Sequence, residues 1–181
     1  MQNLSESQRR EFEQNGFLMV EQALTPSQVH TYLSVVDHFD QTWTQGKPSE
    51  PHAMRKPGQT LEVRNAVAHH DALLDLLMHD TTFPLVAQLM GYNIALTTSH
   101  VFLRPPSPPQ TQRSFKAIGW HHDGPLRQWY HPVNGRMPWL YTKIGYFLSD
   151  TRIPDCGALR ILPGSHLSSA TPPSKHGDID P

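Results

Sequence analysis

Cysteine is almost missing: Cys156 stands alone among 181 residues. A single thiol forms no internal disulfide, so a stapled secreted scaffold is excluded, and Cys156 reads as a small turn residue rather than a nucleophile. Long apolar runs are missing too, and no stretch approaches the roughly 20 residues of a membrane span. The opening MQNLSESQRREFEQNG has no apolar core of a signal peptide, so the expected setting is a reducing cytoplasm. Neither sign of charge is in excess. Fifteen Lys and Arg face sixteen Asp and Glu, giving a net charge of −1 and a pI near 6.9. That balance leaves no electrostatic footprint for nucleic acid or an anionic membrane surface. Charged residues make up 17% and hydrophobic ones 37%, a rather polar but not a disordered composition. No internal repeat is visible. One domain over residues 1–181, with enough chain to bury a core, is the expectation.

Proline is abundant, with 17 residues, and predicts many loops. Ser5-x-x-Gln8 predicts a capping box opening a helix to about Gln14, with Gly16 as its stop. Phe17–Val20 reads as a short strand. Thr25-Pro26-Ser27-Gln28 starts a second helix, with Thr as cap and Pro at the first helical position. Val29, Tyr32, Leu33, Val36 and Phe39 recur at helical spacing and predict a buried stripe. Residues 44–60 read as a long loop, a lid or a plain surface segment. Residues 71–90 read as helix broken near Pro84, and Tyr92–Leu103 as a strand or two, ended by Pro105-Pro106-Ser107-Pro108-Pro109. Tyr141–Leu148 is aromatic and partly β-branched and predicts a buried strand. Ser149-Asp150-Thr151 then reads as a turn. Trp129, Tyr130 and Trp139 fall in an insertion before that strand and are candidates to line a pocket.

Histidine is plentiful, with 12 residues. His-x-Asp spacing recurs in the chain, and two of these pairs are weighed as metal ligands. Along a strand, residues two apart point the same way, so His121 and Asp123, at a predicted strand end, place an imidazole and a carboxylate on one face. These are two of the three donors of a 2-His-1-carboxylate triad, which holds non-haem Fe(II) and leaves positions open. The other pair, His69 and Asp71, precedes the apolar run Ala72–Met78, where Asp71 reads better as a helix N-cap. His122 is expected to face away from a metal.

The segments WHHDGP at 120–125, KIGYFLSD at 143–150 and GALRILPGSH at 157–166, in that order, resemble the phytanoyl-CoA dioxygenase family. EFEQNGFLMVEQALTPSQV at 11–29 is similar to that family's opening helix, Gly, strand and second helix, so the resemblance covers nearly the whole chain. It implies an α+β fold with a mainly β core, a double-stranded β-helix (jelly roll, cupin-like) with amino-terminal helices packed outside. It implies Fe(II) and 2-oxoglutarate as cofactors, O₂ as co-substrate, and hydroxylation of a small or lipid-like molecule. His121 and Asp123 are then the metal ligands. Since related halogenases lack the carboxylate, Asp123 favours hydroxylation. His100, Phe102 and Lys143 are the candidates for 2-oxoglutarate contacts, Lys143 by pairing with a carboxylate, and Arg64 is a further cation.

The resemblance places the distal histidine on a later strand, followed by an Arg that grips the far carboxylate of 2-oxoglutarate. No such strand follows here: the chain ends in the polar run Lys175–Pro181, which predicts a fragment with an incomplete site. His166 sits at a believable separation from His121 for a third ligand, but reads better as a hydrogen-bonding turn residue, and His176 lies in a Pro/Ser/Gly-rich tail. Two other readings compete: a non-catalytic jelly-roll binding module that retains the metal pair, and a cupin-type isomerase or lectin. Strands left without partners predict self-association through their edges.

Overall fold

The computed structural model describes residues 3–45, 54–106, 120–121, 133–134, 139–152 and 156–167. The described residues fall into two compact units interleaved along the chain. One draws on Met1–Leu4, Val20–Pro106 and Ile144–Ala158, the other on Ser5–Met19, Ser107–Lys143 and Leu159–Pro181.

The second unit begins with α1 (Glu6–Asn15). Its capping box forms as the sequence predicts. Ser5 accepts from the Gln8 backbone N–H, and the Gln8 side chain accepts from the Ser5 N–H. Gly16 ends the helix in the left-handed region and donates to Phe12 O at 2.8 Å. Phe12 meets Trp139 edge-on at 5.0 Å.

The first unit is built on α2 (Pro26–Thr42). Thr25 and Gln28 form a second capping box, and Pro26 opens the first turn, where its missing N–H costs nothing. The buried stripe is Tyr32, Val35, Val36 and Phe39. Val35 takes the inward place expected of Leu33, which is exposed. Then come β1 (Leu61–Arg64), a 3₁₀ turn at Ala66–Ala68, α3 (Ala72–Leu77), α4 (Phe83–Met90) and β2 (His100–Leu103). The helical stretch breaks between α3 and α4, with Pro84 in the first turn of α4.

β1 and β2 pair antiparallel, with Leu61 opposite Leu103, Glu62 opposite Phe102, Val63 opposite Val101, and Arg64 opposite His100. Leu61 and Val63 are fully buried and pack with Tyr32, Val35, Phe39, Ala66 and Leu73; Val101, Leu103 and Leu148 close the cluster. The helices therefore cover one face of this sheet. A knot of polar bonds anchors the stretch before β1. The Arg55 guanidinium donates to Asp40 O at 2.9 Å, Gln59 O at 2.7 Å and Thr60 O at 3.2 Å, and pairs with the Asp40 carboxylate. Gly58 N–H also donates to that carboxylate.

Several predicted strands differ. Phe17–Val20 pairs with no strand among the described residues; four residues after a helix-ending glycine have no ladder to join. Within Tyr92–Leu103 only the last four residues are strand. Pairing stops where Ala66 and Val67 donate instead to Ser99 O and Ser99 Oγ, each at 3.2 Å. Tyr141–Leu148 is neither a strand nor buried throughout: Tyr146 and Leu148 are half-buried while Ile144 and Phe147 are exposed. Leu159 and Ile161 are exposed in the same way, before the Pro163-Gly164 turn. Asp71 makes no side-chain cap bond. Its backbone is already helical, and His70 Nδ1 accepts from Ala72 N–H at 3.2 Å instead. The described residues thus form a mixed α and β arrangement with one two-stranded sheet, short of a double-stranded β-helix. No helix among them is long and apolar enough to cross a membrane.

Candidate functional site

Side chains alternate across the β1–β2 pair. With the Leu61, Val63, Val101 and Leu103 face packed on the helices, Glu62, Arg64, His100 and Phe102 share the other face. His100 and Phe102 meet edge-on at 5.4 Å. Thr98 Oγ1 lies 3.0 Å from His100 Nε2. Arg64 Nε donates to Glu62 Oε1 at 3.0 Å, which partly neutralises it. Arg104 carries its guanidinium 5.8 Å from the centre of the Phe102 ring, a cation–π distance. Strand parity through His100 and Phe102 reaches Arg104 next, so alternation alone carries the signal for this residue. The face holds two guanidiniums, one of them paired with the Glu62 carboxylate, an imidazole and a half-exposed aromatic ring. It can bind an anion and stack an apolar group.

Of the two metal-ligand candidates, His121 is described and exposed, and Asp123 lies outside the described residues, as does His122. Trp120, next to His121, has its indole N–H buried with no hydrogen-bond partner among the described residues. Lys143 is exposed. His100 and Phe102 fall in one unit, His121 and Lys143 in the other. An imidazole and a carboxylate are the donor types that Fe(II) takes in facial-triad sites, so the pair fits the metal in kind. Among the described residues no three His, Cys, Asp or Glu side chains converge to hold a metal ion.

His166 is engaged elsewhere. It sits in a 3₁₀ turn, Ser165–Leu167, and its Nε2–H donates to Glu13 O at 3.0 Å, while Gly164 N–H donates to Asn15 O at 2.9 Å. Both bonds satisfy carbonyls at the end of α1 that a helix leaves without intrahelical partners. The turn role expected of His166 is what the geometry gives. His69 packs edge-on against Trp43 at 4.8 Å, an aromatic contact rather than a ligand sphere. His176 lies outside the described residues, as do Trp129 and Tyr130.

The sequence missed one buried polar cluster because its members are far apart in the chain. Tyr146 Oη donates to Leu76 O at 3.2 Å and accepts from the Thr82 hydroxyl. Burial pushes the phenol pKa up, and the Thr82 hydrogen bond works against that. This cluster holds the 144–150 segment to the helices of its unit. Beyond it, Arg152 grips the exposed Asp150, whose carboxyl falls to about 2, first through the side-chain hydrogen bond.

Comparison with curated proteins and with solved structures gives no match. A family model does match. The phytanoyl-CoA dioxygenase model covers residues 12–180, a span that contains β1, β2, the His121-x-Asp123 pair and the turn that carries His166. Members of that family typically are Fe(II)- and 2-oxoglutarate-dependent oxygenases of jelly-roll fold. The chain belongs to the phytanoyl-CoA dioxygenase family.

Proposed function

We propose that this protein is an Fe(II)/2-oxoglutarate-dependent oxygenase that hydroxylates a small or lipid-like molecule, working in the cytoplasm as a single-domain jelly roll. The observation that carries the reading is the family match over residues 12–180, because the His121-x-Asp123 pair lies inside it. His121 and Asp123 are the proposed metal ligands. The imidazole supplies a neutral lone pair, and the carboxylate offsets part of the ion's charge. When bound, Fe(II) would activate O₂, one oxygen atom going to a substrate C–H bond and the other to 2-oxoglutarate, which leaves as succinate and CO₂.

The packing of the first unit supports a role for the β1–β2 pair. In a jelly roll with helices outside, the sheet face turned away from the helices is the inner one. Here that face bears Arg64, His100 and Phe102. His100 and Phe102 are proposed to position 2-oxoglutarate, the first by hydrogen bonding and the second as an apolar wall. Lys143 and Arg64 are the cations proposed for its carboxylates. Strand edges without a partner among the described residues are proposed routes of self-association.

The test is Fe(II)-dependent turnover of 2-oxoglutarate to succinate under O₂. His121→Ala, Asp123→Ala and Asp123→Gly should each abolish it, while His69→Ala and His166→Ala should retain it if folded. Turnover that survives His121→Ala would sink the ligand assignment. A second reading is a binding module without catalysis that retains the metal pair. Iron bound through His121 with no 2-oxoglutarate turnover would establish that reading instead.

A further inference from the structure

The helices of the first unit border a concavity of about 370 Å³, open to solvent on one side, that the proposed chemistry does not use. It is lined by Gln28, Thr31 and Tyr32 of α2 and by Asp75, His79 and Asp80 at and beyond α3. We propose that this concavity binds a small organic cation through an ammonium group.

Tyr32 is the first ground. It is only 5% exposed, it lines the concavity, and its hydroxyl has no hydrogen-bond partner among the described residues. That hydroxyl is reached by solvent from the concavity rather than sealed in the core, so an ammonium seated there finds an oxygen no protein group has taken and can donate to it. Charge is the second ground. Asp75 and Asp80 form no ion pair among the described residues, and no Lys or Arg lines the walls. Burial, and after it the charge of Asp75, push the Tyr32 phenol pKa up, so that carboxylate acts on the hydroxyl.

The other polar groups narrow the ligand. Thr31 spends its hydroxyl proton on Ser27 O at 3.1 Å, which leaves that oxygen as an acceptor. Gln28 Nε2 is 3.1 Å from His79 Nε2, and Gln28 Oε1 already accepts from Thr25 N–H at 2.8 Å. The walls therefore offer acceptors and negative charge. An ammonium carries three N–H donors and a positive charge, and matches both. An anion is repelled. A metal ion finds no group of three suitable side chains among the described residues.

The experiment is calorimetric titration of the full 181-residue chain at low salt with 1,4-diaminobutane, tetramethylammonium and Mg²⁺. Saturable one-site binding of the diamine is expected, weakened roughly tenfold or more in Asp75→Asn, which removes a negative charge facing the ammonium, and in Tyr32→Phe, which removes an acceptor for it. Tetramethylammonium has no N–H and should bind more weakly. Tyr32→Phe should unfold at an equal or higher urea concentration than the parent, because the lost hydroxyl had no partner; a tyrosine with a merely structural role would lower it. Should Tyr32→Phe fail to fold, Asp75→Asn, at an exposed position, decides alone. No saturable binding of the diamine, equal affinity in Asp75→Asn, or tighter binding of Mg²⁺ than of the diamine overturns the proposal. None of these outcomes depends on the oxygenase reading, because no proposed iron or 2-oxoglutarate residue lines the concavity.

Discussion

At Gly16 the backbone has φ +82°, and a β-carbon there would lie 2.4 Å from His166 Nδ1 and 2.7 Å from its Cγ. Gly16→Ala therefore meets two costs, a left-handed backbone and a displaced imidazole. A loss of about 1–3 kcal/mol in urea unfolding is expected. In a His166→Ala background the steric part vanishes, so the second substitution should recover part of the loss. Strictly additive costs would show that the ring does not sit where the structure puts it. The sequence marked Gly16 as a helix stop, and that much was local. That His166, far along the chain, fills the space beside it was legible nowhere in the pattern. The imidazole's choice between metal and helix end rests on a contact that only folding makes.

At the scale of elements, the two capping boxes were readable because their partners are three residues apart and their geometry is local. Thr25→Ala should cost about 1 kcal/mol. Asp71 carried a similar signal but makes no cap bond, so Asp71→Ala should stay within about 0.5 kcal/mol. Chemical denaturation of the two variants side by side checks both values. The Arg55–Asp40 pair sets the acid behaviour of the stretch before β1. The hydrogen bond from Arg55 holds the Asp40 carboxyl below its ordinary 3.8, with Gly58 N–H helping and burial opposing. A depressed carboxyl pKa contributes stability that is complete above the unfolded value and is lost as pH falls through the lower folded one. The protein should thus lose stability below about pH 4, and Asp40→Ala should flatten that part of the profile. With side chains only 3% and 13% exposed, breaking the pair should also cost about 3–5 kcal/mol at neutral pH. Equal acid limbs in parent and variant would contradict the assignment.

Over the whole molecule, Tyr146 joins chain segments that the sequence separates widely. Tyr146→Phe removes its bonds to Leu76 O and the Thr82 hydroxyl and should cost about 1–3 kcal/mol in thermal or urea unfolding; an unchanged midpoint would show that the phenol is not bound there. The sequence by itself determined the family, through three ordered segments, and the ends of α1 and α2, through caps whose bonds span three residues. It also determined that His100 and Phe102 share a face, because strand alternation needs no knowledge of the partner strand. Tertiary structure decided the rest. It put Val35 rather than Leu33 inward, limited strand pairing to the four residues that β1 can match, gave His166 to the end of α1, and turned Tyr146 toward Leu76 and Thr82. The physical reason is the same each time. Periodicity and capping are short-range properties of a chain, whereas a strand partner, a buried hydrogen bond or the side of a helix that meets the core depends on groups many residues away.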